Sequence, residues 1–191
     1  ALMVLTPNGA IKTTSDFSEI TIIDDDTTNI NDWIFNDFAM AADGQYYMAS
    51  NEGISTSDDA GASWTNIMPA NGLASSDSTS IAAHYVGDEN WVLVGSRNDG
   101  ISFSLDDGQN FSTYNAANHG LASDTVNSVA MDKNGTLYIA TNNGLSIGWD
   151  AANSLFFENY NSMQGLPDDV INQVLVKDTA QGSNIYLATS N

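Results

Sequence analysis

The side chains of this chain that could do chemistry are few in kind. Arg97 is the sole arginine, His84 and His119 are the two histidines, and Lys12, Lys133 and Lys177 complete the basic set. A lone guanidinium can grip one carboxylate or sulfate through paired N–H bonds. Arg97, flanked by Asn98 and Asp99, is therefore the first candidate anchor for an anionic ligand. Its competing fate is an ion pair with Asp99 or another neighbour. His119, Asn51 and Asn142 fall in loops that could share a face with it, and Trp33 and Trp149 could stack on sugar rings. A Ser/His/Asp site would have to use His84 or His119, and no Gly-x-Ser-x-Gly turn supports one. His84 falls in a predicted strand, which suits a packed histidine. Glycosidase chemistry needs two carboxylates roughly 5–10 Å apart. Twenty aspartates supply so many pairs that the sequence singles out none. Asp24, Asp25 and Asp26 form a carboxylate run that suits calcium only where other oxygens converge. No other metal or cofactor is expected, and the reading leans away from an enzyme.

Composition narrows the partners. Four Lys and Arg stand against 24 Asp and Glu, a formal charge of −20 over 191 residues. Nucleic acid, heparin-like polymers and anionic membrane surfaces each need a basic patch, so none is an expected partner. No apolar run approaches the roughly 18 residues of a membrane helix, which excludes insertion. Cysteine is absent, so disulfides, thiolate metal sites and cysteine nucleophiles are excluded. An acidic, lysine-poor surface suits a salty or extracellular setting. The location expected is extracellular or periplasmic, and no signal peptide is recognisable in the chain.

The elements that would position these residues repeat. Phe38 to Ser55 reads FAMAADGQYYMASNEGIS, and Val129 to Ser146 reads VAMDKNGTLYIATNNGLS. They align without a gap at an offset of 91, with eight of eighteen positions identical. An intermediate copy contains WVLVGSRNDGIS, a fourth begins at Val174, and the N-terminus carries a partial fifth. A marker glycine recurs at Gly9, Gly53, Gly100 and Gly144, at spacings of 44, 47 and 44. Gly-Leu recurs at Gly72, Gly120 and Gly165, followed by an acid at Asp77, Asp124 and Asp168 or Asp169. Within a unit the pattern predicts four short strands. In the third these are Val126–Met131, Thr136–Thr141, Leu145–Trp149 and Leu155–Tyr160, with Asn134-Gly135 as a hairpin signal. No sustained helical period appears. Four strands per roughly 45 residues is the arithmetic of an all-β propeller blade.

Gly120 to Ser146 resembles the two-component regulator propeller repeat, and Gly165 to Asp178 resembles the start of the next copy. A second signature overlaps it. Ser57, Asp59, Gly61 and Trp64 fit the Asp-box, Ser-x-Asp-x-Gly-x-x-Trp, and Ser104, Asp106, Gly108 and Phe111 fit it with Phe last. The third unit has lost the box, and the N-terminal one keeps Ser15-Asp16-Phe17. Such boxes occur in sialidase-like and sortilin-like propellers. Their role here is read as structural: Asp accepts N–H bonds inside the turn, Gly takes a positive φ, and the aromatic packs beneath. Sialidase chemistry, as that resemblance implies it, needs three arginines and is excluded.

The expected layout is a partial blade over 1–30, blades over 31–76, 77–123 and 124–167, and a partial blade over 168–191. These are read as part of a larger seven- or eight-bladed ring. A closed four-bladed ring, or a homodimer completing a ring, are the alternatives. The function expected is a non-catalytic recognition or sensor module that binds a glycan or protein on its loop face. The alternatives are a fragment of a secreted propeller glycoside hydrolase, or a scaffold or assembly factor.

Overall fold

The computed structural model describes residues 2–6, 9–16, 18–24, 30, 34–150 and 154–190. It is built from antiparallel sheets in chain order. The first is three-stranded: β1 (Leu2–Thr6), β2 (Gly9–Thr13) and β3 (Ile20–Ile23). The second holds β4 (Phe35–Met40), β5 (Tyr46–Ser50), β6 (Gly53–Ser57) and β7 (Thr65–Ile67). The third holds β8 (Ser78–Val86), β9 (Glu89–Ser96), β10 (Ile101–Ser104) and β11 (Ser112–Tyr114). The fourth holds β12 (Val126–Met131), β13 (Leu137–Thr141), β14 (Gly144–Asp150) and β15 (Leu155–Tyr160). The fifth pairs β16 (Ile171–Thr179) with β17 (Gly182–Thr189). Each four-stranded sheet is an up-and-down meander, as expected of a blade.

Burial explains why the second strands read as unbroken apolar runs. Tyr46–Ser50 and Leu137–Thr141 are buried throughout, because both faces of these strands meet neighbouring sheets. Four apolar clusters fill the seams. One joins Ala10 and Ile23 to Tyr46, Met48 and Trp64. The next joins Tyr47 and Ile54 to Ile81, Val92 and Val94, with Phe111 against it. The third joins Leu93, Ile101 and Phe103 to Val126, Leu137 and Ile139, with Phe157 against it. The last joins Tyr138 and Leu145 to Ile171 and Val174.

Trp64, Phe111 and Phe157 occupy one register position, each three residues before the partner of its sheet's third-strand Ile54, Ile101 or Leu145. Each packs back onto the preceding sheet. The sequence pattern finds the first two through the box, and Phe157 keeps the contact after the box is gone.

The box turns match bond for bond. Ser57 Oγ donates to Asp59 Oδ1 at 2.8 Å and accepts from Gly61 N at 2.8 Å. Ser104 Oγ does the same with Asp106 Oδ1 and Gly108 N at 2.7 and 3.0 Å. Ser63 N and Asn110 N each donate to the aspartate at 2.9 Å. Gly61 and Gly108 take φ of 89° and 82°, and the residues before them, Ala60 and Asp107, are left-handed as well. The hydrogen bonds around Asp59, foremost from Ser63, hold its carboxyl down at about 2. Asp106 is lowered too: burial pushes it up, and the bonds from Asn110 and Ser104 outweigh that.

Two expectations need adjustment. The link between β12 and β13 is a five-residue loop rather than a two-residue Asn-Gly hairpin. Asp132 organises it, with Oδ1 accepting from Asn134 N and Thr136 N at 2.9 Å each. Short helical turns also cap three sheet connections. These are 3-10 turns at Pro69–Asn71 and Ser162–Gln164, and one α turn, α1 (Ala116–His119). One-turn elements are too short to leave a sustained helical period in the sequence.

Candidate functional site

The innermost strands β4, β8, β12 and β16 carry the same irregularity. Register slips between Phe35 and Asp37, Ser78 and Ser80, Val126 and Ser128, and Ile171 and Gln173. The extra residues are Asn36, Thr79, Asn127 and Asn172. A bulged residue leaves the ladder and aims its side chain elsewhere. Here three of the four reach the next sheet. Asn36 Nδ2 donates to Ser78 O at 2.8 Å, Thr79 Oγ1 to Val126 O at 2.7 Å, and Asn127 Nδ2 to Ile171 O at 2.9 Å. Asn172 Nδ2 lies 3.3 Å from Ser190 Oγ.

The residue after each bulge can answer with an acceptor. Asp37 Oδ2 accepts from Ile81 N at 3.0 Å, and Ser128 Oγ from Val174 N at 3.3 Å. Ser80 Oγ, at the same position, is buried without a partner. Burial pushes the Asp37 carboxyl above the usual range, against the pull of the Ile81 and Phe38 N–H groups.

The bulge residues open onto a polar mouth of about 350 Å³, lined by Asn36, Thr79, Thr125, Val126, Asn127, Asn172 and Arg97. The loops on this face are tied to one another. Arg97 N donates to Asp77 O, Gly100 N to Asp124 O, Asn142 N to Thr125 O and Gly144 N to Asp169 O. Turns between second and third strands thus dock onto the connections between sheets. The marker glycines allow a second close approach, to the end of the fourth strand of their own sheet. A Cβ on Gly53, Gly100 or Gly144 would lie 2.3, 2.2 or 2.3 Å from the carbonyl oxygen of Ile67, Tyr114 or Tyr160.

Arg97 is held at this mouth by an ion pair, Nε to Asp77 Oδ2 at 2.7 Å, with its side chain 57% exposed. The partner is Asp77, not the adjacent Asp99. The acids that precede the other inner strands are used within their own loops. Asp124 Oδ1 accepts from Ala116 N, and Asp169 Oδ1 from Ser162 N, both at 2.7 Å and both at the first residue of a short helical turn. The Ser162 contacts hold Asp169 below the usual carboxylate range. The corresponding turn before β8 begins with Pro69, which has no N–H to give. The residue matching Asp124 there is Ser76. Asp77 stands two residues before the bulge at Thr79, where the fourth and fifth sheets have Thr125 and Val170. The acid that takes the guanidinium therefore has no counterpart in those loops.

The other candidates divide. Asn142 joins the mouth indirectly, its Oδ1 accepting from Asn127 Nδ2 at 2.8 Å. Asn51, Asn98 and Asp99 lie on turns of the same face, where Ser96 Oγ accepts from Asp99 N at 3.0 Å. His119 does not line the mouth. Its Nδ1 accepts from Asn115 N at 3.1 Å and its ring meets Tyr114 edge-on. His84 is half-buried on β8. Trp149 is on a third strand away from the mouth, opposite Phe156, and both are exposed. Asp24 follows β3, while Asp25, Asp26 and Trp33 lie outside the described residues. Among the described residues no three His, Cys, Asp or Glu side chains converge as a metal site. The sequence reading missed the bulge residues. The recurring polar residue at the second position of each first strand was their only signal.

The comparisons agree with this architecture. The two component regulator propeller family matches residues 120–143. No curated protein matches the chain. Among solved structures, the extracellular domain of BT3049 from B. thetaiotaomicron, named a hybrid two component system, superposes with a TM-score of 0.74 at 14% identity. It covers 98% of this chain and 25% of that one. The extracellular domain of BT4673 from B. thetaiotaomicron, named a one component system, gives 0.66 at 16% identity, covering 98% and 24%. YCF48 bound to D1 peptide gives 0.56 at 11%, covering 97% and 60%. The chain thus spans about a quarter of the length of each of the first two. No described helix is long and apolar enough to cross a membrane. The chain has the β-propeller fold, and Gly120 to Asn143 match the two-component regulator propeller repeat.

Proposed function

We propose that this propeller is a non-catalytic recognition module of sensor type, extracellular or periplasmic, that binds an anionic ligand at the channel mouth. One observation carries the reading: the sole arginine, held through Nε by Asp77, lines a mouth otherwise made of amides and hydroxyls. A pre-oriented guanidinium loses little freedom when it grips a carboxylate or sulfate. The amides and hydroxyls around it suit the hydroxyls of a sugar, so a short glycan with a single acidic group, not a polyanion, fits the site best. Likeness to extracellular domains named as one and two component systems supports the sensor setting.

The test is a binding panel of uronic-acid, sulfated and neutral oligosaccharides measured by calorimetry. Acidic members should bind, and Arg97→Ala should weaken them at least tenfold. His119→Ala should leave the affinity unchanged. Binding of neutral glycans alone, or affinity indifferent to Arg97, overturns the reading. Likeness to YCF48 bound to D1 peptide favours a second reading, a protein-binding scaffold. Recovery of a stable protein partner with a silent glycan panel would select it.

A further inference from the structure

The seams between sheets are built alike, and the first and fifth sheets each present one half of such a seam. Each sheet turns one face back to the sheet before it and one onward to the next. On the second strands the onward face carries Tyr47, Leu93 and Tyr138, at one register position and all buried. Tyr47 shares a cluster with Val92 and Val94, Leu93 with Leu137 and Ile139, and Tyr138 with Ile185 and Leu187, each pair lying on the next second strand. The inner-strand partners of Tyr47, Leu93 and Tyr138 are Ala39, Ala82 and Ala130.

The same positions are uncovered on the first and fifth sheets. On β17 Tyr186 stands where Tyr138 does on β13, and it is 52% exposed. Its inner-strand partner is Leu175, 60% exposed. On β1 Thr6 pairs with the marker Gly9 as Thr141 pairs with Gly144, so β1 is a second strand. Leu2 and Val4 then stand where Leu137 and Ile139 do, and both are exposed. Ile20, three residues before the partner of Ala10, holds the position of Trp64, Phe111 and Phe157 and is 62% exposed. The fifth sheet thus shows an onward face and the first a backward face, of the kinds that meet in each internal seam. Contiguous exposed apolar surface of this sort marks a place of contact.

Two features choose the occupant. A foreign partner could cover one face, whereas a second copy docked head to tail covers both with one kind of contact. Leu175 is the other feature. The sheets that are followed by a complete inner strand keep alanine at its position, at Ala39, Ala82 and Ala130. Among the described residues the first sheet has no inner strand inside β1. A neighbour of that form leaves room for the longer side chain.

We infer that the protein associates with itself head to tail, the β16–β17 face of one copy seated on the β1 face of the next as a further seam. Tyr186 and Leu175 meet Leu2 and Val4 across it. The contact is heterologous, so it closes a ring or runs on as a chain of copies. Each copy carries −20, so association strengthens as salt screens the repulsion.

Gel filtration with light scattering tests this at about 100 μM protein and about 0.3 M salt, where the Debye length is about 6 Å. The parent should show at least twice the protomer mass. Tyr186→Asp and Val4→Asp, one on each face, should each give a monomer with the parent's circular dichroism, since both side chains are exposed in the protomer. Mixing these two variants should restore a dimer and nothing larger, because each brings the face that the other has lost. Leu175→Ala, a milder change, should weaken self-association about fivefold or more. A parent that stays monomeric overturns the inference and points to other sheets or another protein as the cover. Association that survives the aspartate substitutions overturns it too, as does a mixture that stays monomeric. The readouts involve no Arg97 ligand, so they stand or fall apart from the proposed function.

Discussion

The side-chain amide of Asn127 donates to the main-chain carbonyl of Ile171 at 2.9 Å, from the bulge of one inner strand to the bulge of the next. Thr79 and Asn36 make the same reach one and two sheets earlier. The inner edges of neighbouring sheets are thus joined by single side chains where no main-chain ladder exists. Removing one donor leaves a carbonyl unmet, at a cost of about 1–2 kcal/mol. Asn127→Ala should lose that much in urea unfolding. Asn172→Ala, whose donor reaches only Ser190 of its own sheet, should lose clearly less. Equal losses would show that these amides do not join the sheets.

The marker glycines give a prediction with an internal control. Gly53 has φ 120°, and a Cβ there would stand 2.3 Å from Ile67 O. Gly44 has φ 95° but nothing within 4 Å. Gly53→Ala should cost about 3 kcal/mol or more, from strain and a backbone clash together. Gly44→Ala should cost roughly 1 kcal/mol from strain alone. Thermal unfolding of the two variants separates clash from conformation. Similar losses would mean that the close approach to Ile67 is not what selects glycine.

Much of this was legible because the repeat constrains it. Thr136–Thr141 reads as a strand from its Leu-Tyr-Ile-Ala-Thr run, against the observed Leu137–Thr141, and the box residues announce their turn. The bulges were hidden, because one extra residue in a strand leaves no periodicity in a six-residue window. The Asp77–Arg97 pair was hidden for a subtler reason. Asp77 stands one residue past the position of Asp124 and Asp169, where the other sheets have Thr125 and Val170, so no equivalent pair recurs. That is visible only once the three turns are superposed. His119 and Trp149 were chosen by residue type, and type does not report which side of a loop or sheet a side chain takes.

Acid should act on the box turns. The folded Asp59 carboxyl sits at about 2, below its ordinary 3.8, so the turn is fully supported above the ordinary value. That support fades as pH falls from about 4 towards 2. Asp59→Asn removes the titrating group and should flatten this part of the pH–stability curve while lowering the plateau at neutral pH. Urea midpoints from pH 2 to pH 7 provide the check. A parallel curve for the variant would place the acid sensitivity elsewhere.

Asp37 carries the opposite sign. Burial raises its folded pKa above the ordinary 3.8, so ionisation costs stability at neutral pH. The cost is complete above the folded pKa and vanishes as pH falls below the ordinary value. Its equivalents on the other inner strands, Ser80, Ser128 and Gln173, are neutral, so the seam does not need a charge. Asp37→Asn keeps an oxygen for Ile81 N and removes the buried charge. It should raise the melting temperature at pH 7 by roughly 2–4 °C, with the gain shrinking to nothing near pH 3. Asp88→Asn, at an exposed position, removes the same formal charge from a chain of −20 and measures the general relief of repulsion. An Asp37 gain no larger than the Asp88 gain would mean that burial at the seam is not the cause.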